Sequence, residues 1–153
     1  MVIREAGLLF RGFTLTIASY HRTSGDKIDR DLRSALLTAL VNFAQNAFSK
    51  EVEYFEMKKF VIVFIEDKIT PSDNPNSETL FSYAILDKQK KIDKFIHKVV
   101  QPSLKEVIKQ FKAKYDGRNL SEISQFKEFK QNLDNIFGLE AKTIEQKLNG
   151  TFF

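Results

Sequence analysis

Cysteine and tryptophan are both absent from the 153-residue chain. Without a thiol, the sequence excludes disulfides, thiolate zinc and iron–sulfur sites, a cysteine nucleophile, and palmitoylation or prenylation. The longest apolar run, Phe60 to Ile65, is far too short to cross a bilayer. The opening residues contain Arg4 and Glu5 where a signal peptide needs an uninterrupted apolar run. We therefore expect a cytoplasmic protein.

Phenylalanine is abundant by contrast, with 15 residues in a chain whose hydrophobic fraction is 42%. A chain of this length fits one domain, which can bury roughly 70% of its unfolded surface. The net charge of +4 is unevenly distributed, because residues 51–86 carry three basic and seven acidic side chains while residues 87–118 carry ten and four. Such a basic segment is typical of a solvated lysine face, and it can also contact an acidic partner or membrane headgroups.

Five segments have the composition and alternation of strands: residues 2–10, 13–20, 51–57, 60–66 and 79–87. Arg11-Gly12 should form a hairpin turn between the first two, since Gly12 takes positive φ without strain. In the second strand the alternation with threonine predicts that Phe13, Leu15 and Ile17 share one face. The continuously apolar FVIVFIE should be central and buried on both faces, whereas the charged EVEYFEM should lie at an edge.

Helical periodicity follows in three regions. The strongest amphipathic pattern covers residues 27–48, between the second and third strands. A second helix is predicted over 88–115, kinked or split by Pro102 and ended by Gly117. A third is predicted over 119–137. The order β-β-α-β-β-β-α-α predicts an α/β (α+β) fold with one mixed five-stranded sheet flanked by helices.

The remaining predictions concern connections and the end of the chain. The loop 69–78 holds two of the three prolines and is expected to be the most mobile element. The segment Asn119-Leu-Ser-Glu122 has capping-box spacing, and Ile123 should lie on the apolar side of the third helix. Gly138 should stop that helix, before a short last helix over about 139–148.

No recognisable motif supports catalysis, a cofactor or a metal. His21 and His97 have no further histidine or glutamate at ligand spacing, and no glycine-rich phosphate loop is present. Glu51, Glu53 and Glu56 offer carboxylates for acid–base chemistry, but glutamates alternating with apolar residues are more typical of an edge strand protected against unwanted pairing. The aromatic residues follow the apolar stripes, which disfavours nucleic-acid binding. We expect no catalytic, cofactor-binding or metal-binding residues.

An apolar surplus on the helix over 27–48 indicates an interface. Leu37, Val41 and Phe48 lie roughly 100–140° from the centre of its core stripe near Leu36. Either the third helix or the C-terminal tail covers this flank, or it forms a dimer or GTPase interface. The predicted interface combines these residues with apolar ones of EVEYFEM: Leu37, Val41, Phe48, Tyr54, Phe55 and Met57.

The order of elements resembles that of longin domains. IREAGLLFRG is similar to their first strand and turn, DRDLRSALLTALVNFAQNAF to their first helix, and EVEYFEMKKFVIVFIED to the hairpin that follows it. The resemblance covers residues 2–116 and is nearest to the free-standing longin- and roadblock-like proteins that accompany small GTPases in archaea and bacteria. Roadblock proteins share the sheet but begin with a helix, so the longin pattern fits this chain better.

The resemblance implies a non-catalytic module that forms a homodimer, or a heterodimer with a related longin or roadblock protein. It also implies that the module binds or regulates a small GTPase, as in vesicle-trafficking, tethering or polarity complexes. Residues 1–117 would form the longin-like domain, and 118–153 a C-terminal helical extension packed on it. The basic helix 88–114 could also make a peripheral contact with a membrane. The alternative is a PAS- or profilin-like sensor or binding domain; a PAS-like sensor requires a ligand cavity inside the sheet–helix layer.

Overall fold

A computed structural model describes residues 3–20, 39, 53–56 and 58–141 of the protein. The strands are β1 (Ile3–Phe10), β2 (Phe13–Ser19), β3 (Glu53–Glu56), β4 (Phe60–Ile69) and β5 (Glu78–Asp87). The helices are α1 (Ile92–Phe95), a π-helical turn (Ile96–Val100), α2 (Gln101–Tyr115), a 3₁₀ helix (Ile123–Phe129) and α3 (Lys130–Ala141). Ala39 is helical. The rest of the helix predicted over 27–48 lies outside the described residues, as does the predicted last helix beyond residue 141.

The strands form one sheet in the order β2-β1-β5-β4-β3, in which all four neighbouring pairs are antiparallel. The described part of the chain is therefore an α+β structure. The mixed sheet predicted from the sequence is wrong in this respect. Because β2 and β3 lie at opposite edges, the long connection between them creates no parallel pair, and β5 pairs with β1 instead.

Strand β4 lies inside the sheet, between β5 and β3. Its first five residues, 60–64, are all buried, as expected for FVIVFIE. The strand continues to Ile69, three residues beyond the prediction, and it is paired with β5 along its whole length. Strand β3 is at the edge of the sheet, as its glutamates alternating with apolar residues predicted.

A bulge in β2 changes which of its side chains face the helices. The register on either side of it is Leu8 with Thr16 and Leu9 with Thr14. Leu15 is therefore an extra residue, and the alternation reverses beyond it. Leu15 and Ala18 both belong to the helix-side core. The predicted common face for Phe13, Leu15 and Ile17 is wrong at Ile17, because alternation in the sequence does not reveal a bulge.

The sheet and the helices bury a hydrophobic core between them. At its centre, the rings of Phe111, Tyr115, Phe126 and Phe129 have centroids 4.7–6.2 Å apart. Two of these rings come from α2 and two from the 3₁₀ helix, and Phe137 of α3 belongs to the same core. Leu120, Leu133 and Phe137 of the segment after Gly117 therefore share this core with the sheet. A second cluster lies on the other face of the sheet and contains Leu9, Phe60, Ile62, Phe64, Tyr83 and Ile85.

The helix predicted over 88–115 begins at Ile92 and widens into a π-helical turn at Ile96–Val100. The amide of Gln101 donates to the carbonyl five residues earlier, as π-helical geometry requires. The wide turn immediately precedes Pro102, where the sequence predicted a kink or a split. Proline has no amide proton, and in a regular helix its ring would clash with the carbonyl four residues earlier.

The loop between β4 and β5 is tied to the end of α2. The amide of Thr70 donates to the carboxylate of Asp116 at 2.8 Å, and its carbonyl accepts from the amide of Gly117 at 2.7 Å. The amide of Ser72 donates to the carbonyl of Arg118 at 2.9 Å. Gly117 has a φ of 80°, as expected of a glycine that ends a helix. The loop predicted to be mobile is therefore anchored at its β4 end.

The segment after Gly117 differs from the single third helix predicted. The side chain of Asn119 accepts a hydrogen bond from the amide of Ser121 at 2.9 Å, an Asx turn, and no side chain caps the following 3₁₀ helix. The predicted capping box is therefore wrong. Ile123, the first residue of the 3₁₀ helix, is exposed, whereas Phe126 and Phe129, three and six residues later, are buried, so its predicted place on the apolar side is wrong. Gly138 lies inside α3 and does not end it.

Candidate interaction groove

The hairpin between β1 and β2 is fixed by its tip. Arg11 and Gly12 have positive φ values of 52° and 78°, which gives the two-residue turn predicted from the sequence. The Arg11 guanidinium lies 4.9 Å from the centroid of the Phe10 ring. It also binds two carboxylates, that of Asp73 in the β4–β5 loop at 2.9 Å and that of Glu78 at the start of β5. One end of β2 is thereby held against the neighbouring loop.

The ion pairs at the tip shift the pKa values of their members. Hydrogen bonds from Arg11 hold the pKa of Asp73 and the pKa of Glu78 below their usual range. The same bonds, first that to Glu78 and then that to Asp73, raise the pKa of Arg11. Because Arg11 is already engaged by two carboxylates, we assign this cluster a role in positioning β2 rather than in binding a ligand.

A groove, here named the β2 groove, runs between edge strand β2 and the 3₁₀ helix. It consists of two adjoining hollows of about 250 Å³ and about 700 Å³, which share Leu15 and Ile123 in their linings. The smaller hollow lies at the hairpin tip, between Phe13 and Leu120. The larger one continues along residues 14–17 of β2. The groove is therefore comparable in length to a short extended peptide.

Exposed apolar side chains stand at the smaller hollow. Among the described residues, Phe13 and Ile123 are the large hydrophobic side chains that are exposed, at 65% and 47%. They come from opposite walls, Phe13 from β2 and Ile123 from the 3₁₀ helix, and both line this hollow. Two large apolar groups exposed side by side mark a surface that gains free energy when a partner covers it.

Positive charge lies at the other end of the groove. Lys127 and Lys130 line the larger hollow, and both are exposed. Neither has an ion pair with a described residue. Lys114 on α2 behaves differently, since it pairs with Glu128 at 2.8 Å and thereby holds the pKa of that carboxyl below its usual range. The β2 groove thus combines an apolar end with a cationic end.

The β3 edge is where the sequence placed part of an interface. Tyr54 is half-buried, and its hydroxyl donates to the carboxylate of Asp93 on α1, which raises the pKa of Tyr54. The side chain therefore packs partly against the helix-side core. Glu56, on the same strand, forms an ion pair with Lys88 at 3.5 Å. Within the described residues, β4 is the strand with which β3 pairs.

The structure describes part of the predicted interface. Phe55 lies in β3, where its backbone is opposite Ile62, and Tyr54 is placed as above. The other four predicted residues, Leu37, Val41, Phe48 and Met57, lie outside the described residues. The predicted interface therefore remains a prediction. Sequence reasoning missed the β2 groove, because it considered Phe13 only as part of one strand face and Ile123 only as part of the apolar side of a helix.

Residues considered for catalysis or metal binding are dispersed. His97 is exposed on the π-helical turn, and its Nδ1 lies 2.8 Å from the carbonyl oxygen of Asp93. Glu53 lies in β3, while His21 and Glu51 fall outside the described residues. Within the described part of the chain, no group of three or more histidine or carboxylate side chains is arranged to hold a metal ion.

A buried polar pair lies on the sheet face opposite the helices. Glu5 is 6% exposed and accepts a 2.8 Å hydrogen bond from the hydroxyl of Tyr83, which is fully buried. Tyr83 is opposite Gly7 in the neighbouring strand. A Cβ added at Gly7 would lie 2.9 Å from the Tyr83 ring and 2.7 Å from the Thr16 carbonyl oxygen. The glycine thus makes room for the ring.

Comparison of the sequence with models of known protein families gives no match, and comparison with curated proteins gives no significant match. None of the helices in the described ranges is both long enough and apolar enough to span a membrane.

Proposed function

We propose that this chain is a non-catalytic, longin-like interaction module of the cytoplasm, which dimerises and binds or regulates a small GTPase. The observation that carries the proposal is the position of β3 at the end of the sheet, paired with β4 on one side. An edge strand presents backbone donors and acceptors that a further strand can use.

The charges at this edge support one specific partner rather than general edge pairing. Glu56 is exposed and is paired with Lys88 across the edge, and Glu53 lies on the same strand. Carboxylates on an edge repel an unmatched acidic or apolar strand but tolerate a mate that brings lysine or arginine opposite them. A related protein whose edge strand carries lysine or arginine meets this condition; in a homodimer the basic residues must come from outside β3, because Glu53–Glu56 contains none.

A binding measurement tests the GTPase part of the proposal. Each small GTPase of the source organism is immobilised in its GDP form and in its form with a non-hydrolysable GTP analogue, and the full chain is passed over both. We expect at least one GTPase to retain the chain with a preference for one nucleotide state. Val41→Glu should reduce this retention, and Lys109→Gln, the same change in net charge on an exposed face of α2, should not. Equal absence of binding in both states for every GTPase would contradict the proposal.

The outer face of α1, the π-helical turn and α2 supports a second contact, with a membrane surface. Lys94, Lys98, Lys105 and Lys109 are exposed there and have no ion pair with described residues. Cationic side chains near anionic lipids each contribute about 1 kcal/mol. Sedimentation with vesicles containing phosphatidylserine, compared with pure phosphatidylcholine, tests the contact. Binding to anionic vesicles alone, lost on quadruple Lys→Gln substitution, supports it, and equal sedimentation with both contradicts it.

A further inference from the structure

Among the described strands, β2 forms the second edge of the sheet, at the end opposite to β3. Within the described residues, β2 pairs with β1 on one side, and the 3₁₀ helix borders its other side across the β2 groove. A strand bound in this groove could form hydrogen bonds with the backbone groups of β2 that do not pair with β1. Its side chains could enter the two hollows of the groove. Strand addition of this kind takes its affinity from main-chain hydrogen bonds and its specificity from the pockets.

The two ends of the groove define the chemistry of the occupant. At the hairpin end, Phe13 and Ile123 are exposed at 65% and 47%, so they favour apolar side chains. At the other end, Lys127 and Lys130 are exposed without an ion pair to a described residue, so they favour carboxylates. Arg11 adds no charge to this selection, because Asp73 and Glu78 already engage it.

We infer that the β2 groove binds an extended peptide segment of another protein, with apolar side chains at one end and Asp or Glu at the other. The segment adds as a strand beside β2, its apolar side chains cover Phe13 and Ile123, and its carboxylates lie against Lys127 and Lys130. This surface lies at the other end of the sheet from the proposed dimer and GTPase contacts, so it is a separate function.

A second copy of the chain is a poorer occupant than an acidic peptide. Pairing β2 with its symmetry mate would bring two copies of Lys127 and Lys130 towards one another, and β2 itself contains no acidic residue. Like charges facing one another across a pairing are unfavourable. The bulge at Leu15 also bends the strand and interrupts the regular ladder that a long symmetric pairing needs.

The experiment selects ligands from a displayed library of random strand-length peptides against the full chain and measures the resynthesised peptides by fluorescence anisotropy. We expect selected peptides to combine apolar residues with Asp or Glu, and their affinity to fall as NaCl rises from about 50 mM to about 500 mM. Ile123→Glu should weaken binding by about tenfold or more, as should Lys127→Glu combined with Lys130→Glu. Lys105→Glu combined with Lys109→Glu makes the same change in net charge on α2, away from the groove; it is the matched control and should leave the affinity unchanged.

Because Ile123 is exposed, the Ile123→Glu variant should keep its fold, which circular dichroism checks, and Phe13→Ser provides a second variant at the same hollow. The inference is overturned if no peptides are enriched, if enriched peptides are basic, or if groove variants bind as well as the wild type. A wild-type dimer that Ile123→Glu dissociates would also overturn it, since a second copy would then occupy the groove. Val41→Glu should not alter peptide binding, so failure here is distinguishable from failure of the proposed dimer.

Discussion

Gly7 shows how a single residue limits what the sheet tolerates. An added Cβ would meet the backbone carbonyl of Thr16 at 2.7 Å and the Tyr83 ring at 2.9 Å, and a backbone atom cannot rotate away. Gly7→Ala should therefore lower the free energy of unfolding by about 1–3 kcal/mol through overpacking. Urea denaturation followed by circular dichroism measures the change. A variant as stable as the wild type would show that β2 and β5 can move away from β1 without a loss in the free energy of unfolding.

Gly138 provides the opposite case and a matched control for the same substitution. It lies inside α3, and a Cβ at this position would have nothing within 4 Å. Gly138→Ala should raise the free energy of unfolding by about 0.5–1 kcal/mol, because alanine has the higher helix propensity and loses less backbone entropy on folding. The same urea titration applies. If both alanine substitutions changed stability in the same direction, the contrast drawn from their surroundings would be wrong.

The hairpin and the β4–β5 loop form an element held together by charge, which makes its stability depend on pH. Arg11 holds the pKa of Asp73 and the pKa of Glu78 below their usual range. A carboxyl with a lowered folded-state pKa contributes stability above its unfolded pKa, near 4, and loses it as the pH falls through the folded pKa. The ion pairs should therefore stabilise the fold at neutral pH and contribute nothing in strong acid.

Arg11→Gln tests this coupling. The melting temperature of the variant should lie below that of the wild type at neutral pH, and the difference should vanish as the pH falls below the pKa values of the two acids. Calorimetry across the acidic range measures both, and added salt should reduce the neutral-pH difference because the groups are at the surface. Lys109→Gln removes a lysine that has no ion pair with described residues and should show no such pH dependence. A difference that persists in strong acid would assign the effect to packing instead.

The sequence pattern predicted the individual strands and turns better than it predicted how the strands pair in the sheet. The turn at Gly12 and the buried strand at 60–64 follow from local chemistry, namely the positive φ of a glycine turn and the continuous apolar run. The antiparallel sheet and the bulge at Leu15 do not follow, because direction and register depend on contacts between segments distant in sequence. The exposed Ile123 was missed because the sequence predicted one continuous helix over 119–137, whereas a 3₁₀ helix begins at Ile123.

The β2 groove illustrates the same limit for function. Its walls come from residues 10–17 and residues 120–130, which are more than a hundred positions apart, and each wall taken alone looks like an ordinary amphipathic element. Phe13 is exposed because it lies beside the hairpin tip on an edge strand, and the sequence does not show which strands are at the edges. Lys127 and Lys130 resemble the other lysines of a basic chain until their position in the groove is known.

The oligomeric state of the whole molecule tests the predicted interface. The helix predicted over 27–48 and the β3 edge should meet their symmetry mates in a two-fold dimer, with Val41, which lies outside the described residues, in the apolar contact. A two-fold interface repeats each substitution, so Val41→Glu should place two like charges in that contact and shift the protein to monomers with its fold intact. Light scattering over a range of concentrations measures the mass, circular dichroism checks the fold, and Lys109→Gln controls for the change in net charge. The dimer is refuted by a wild type that remains monomeric at high concentration, or by a Val41→Glu variant that remains dimeric.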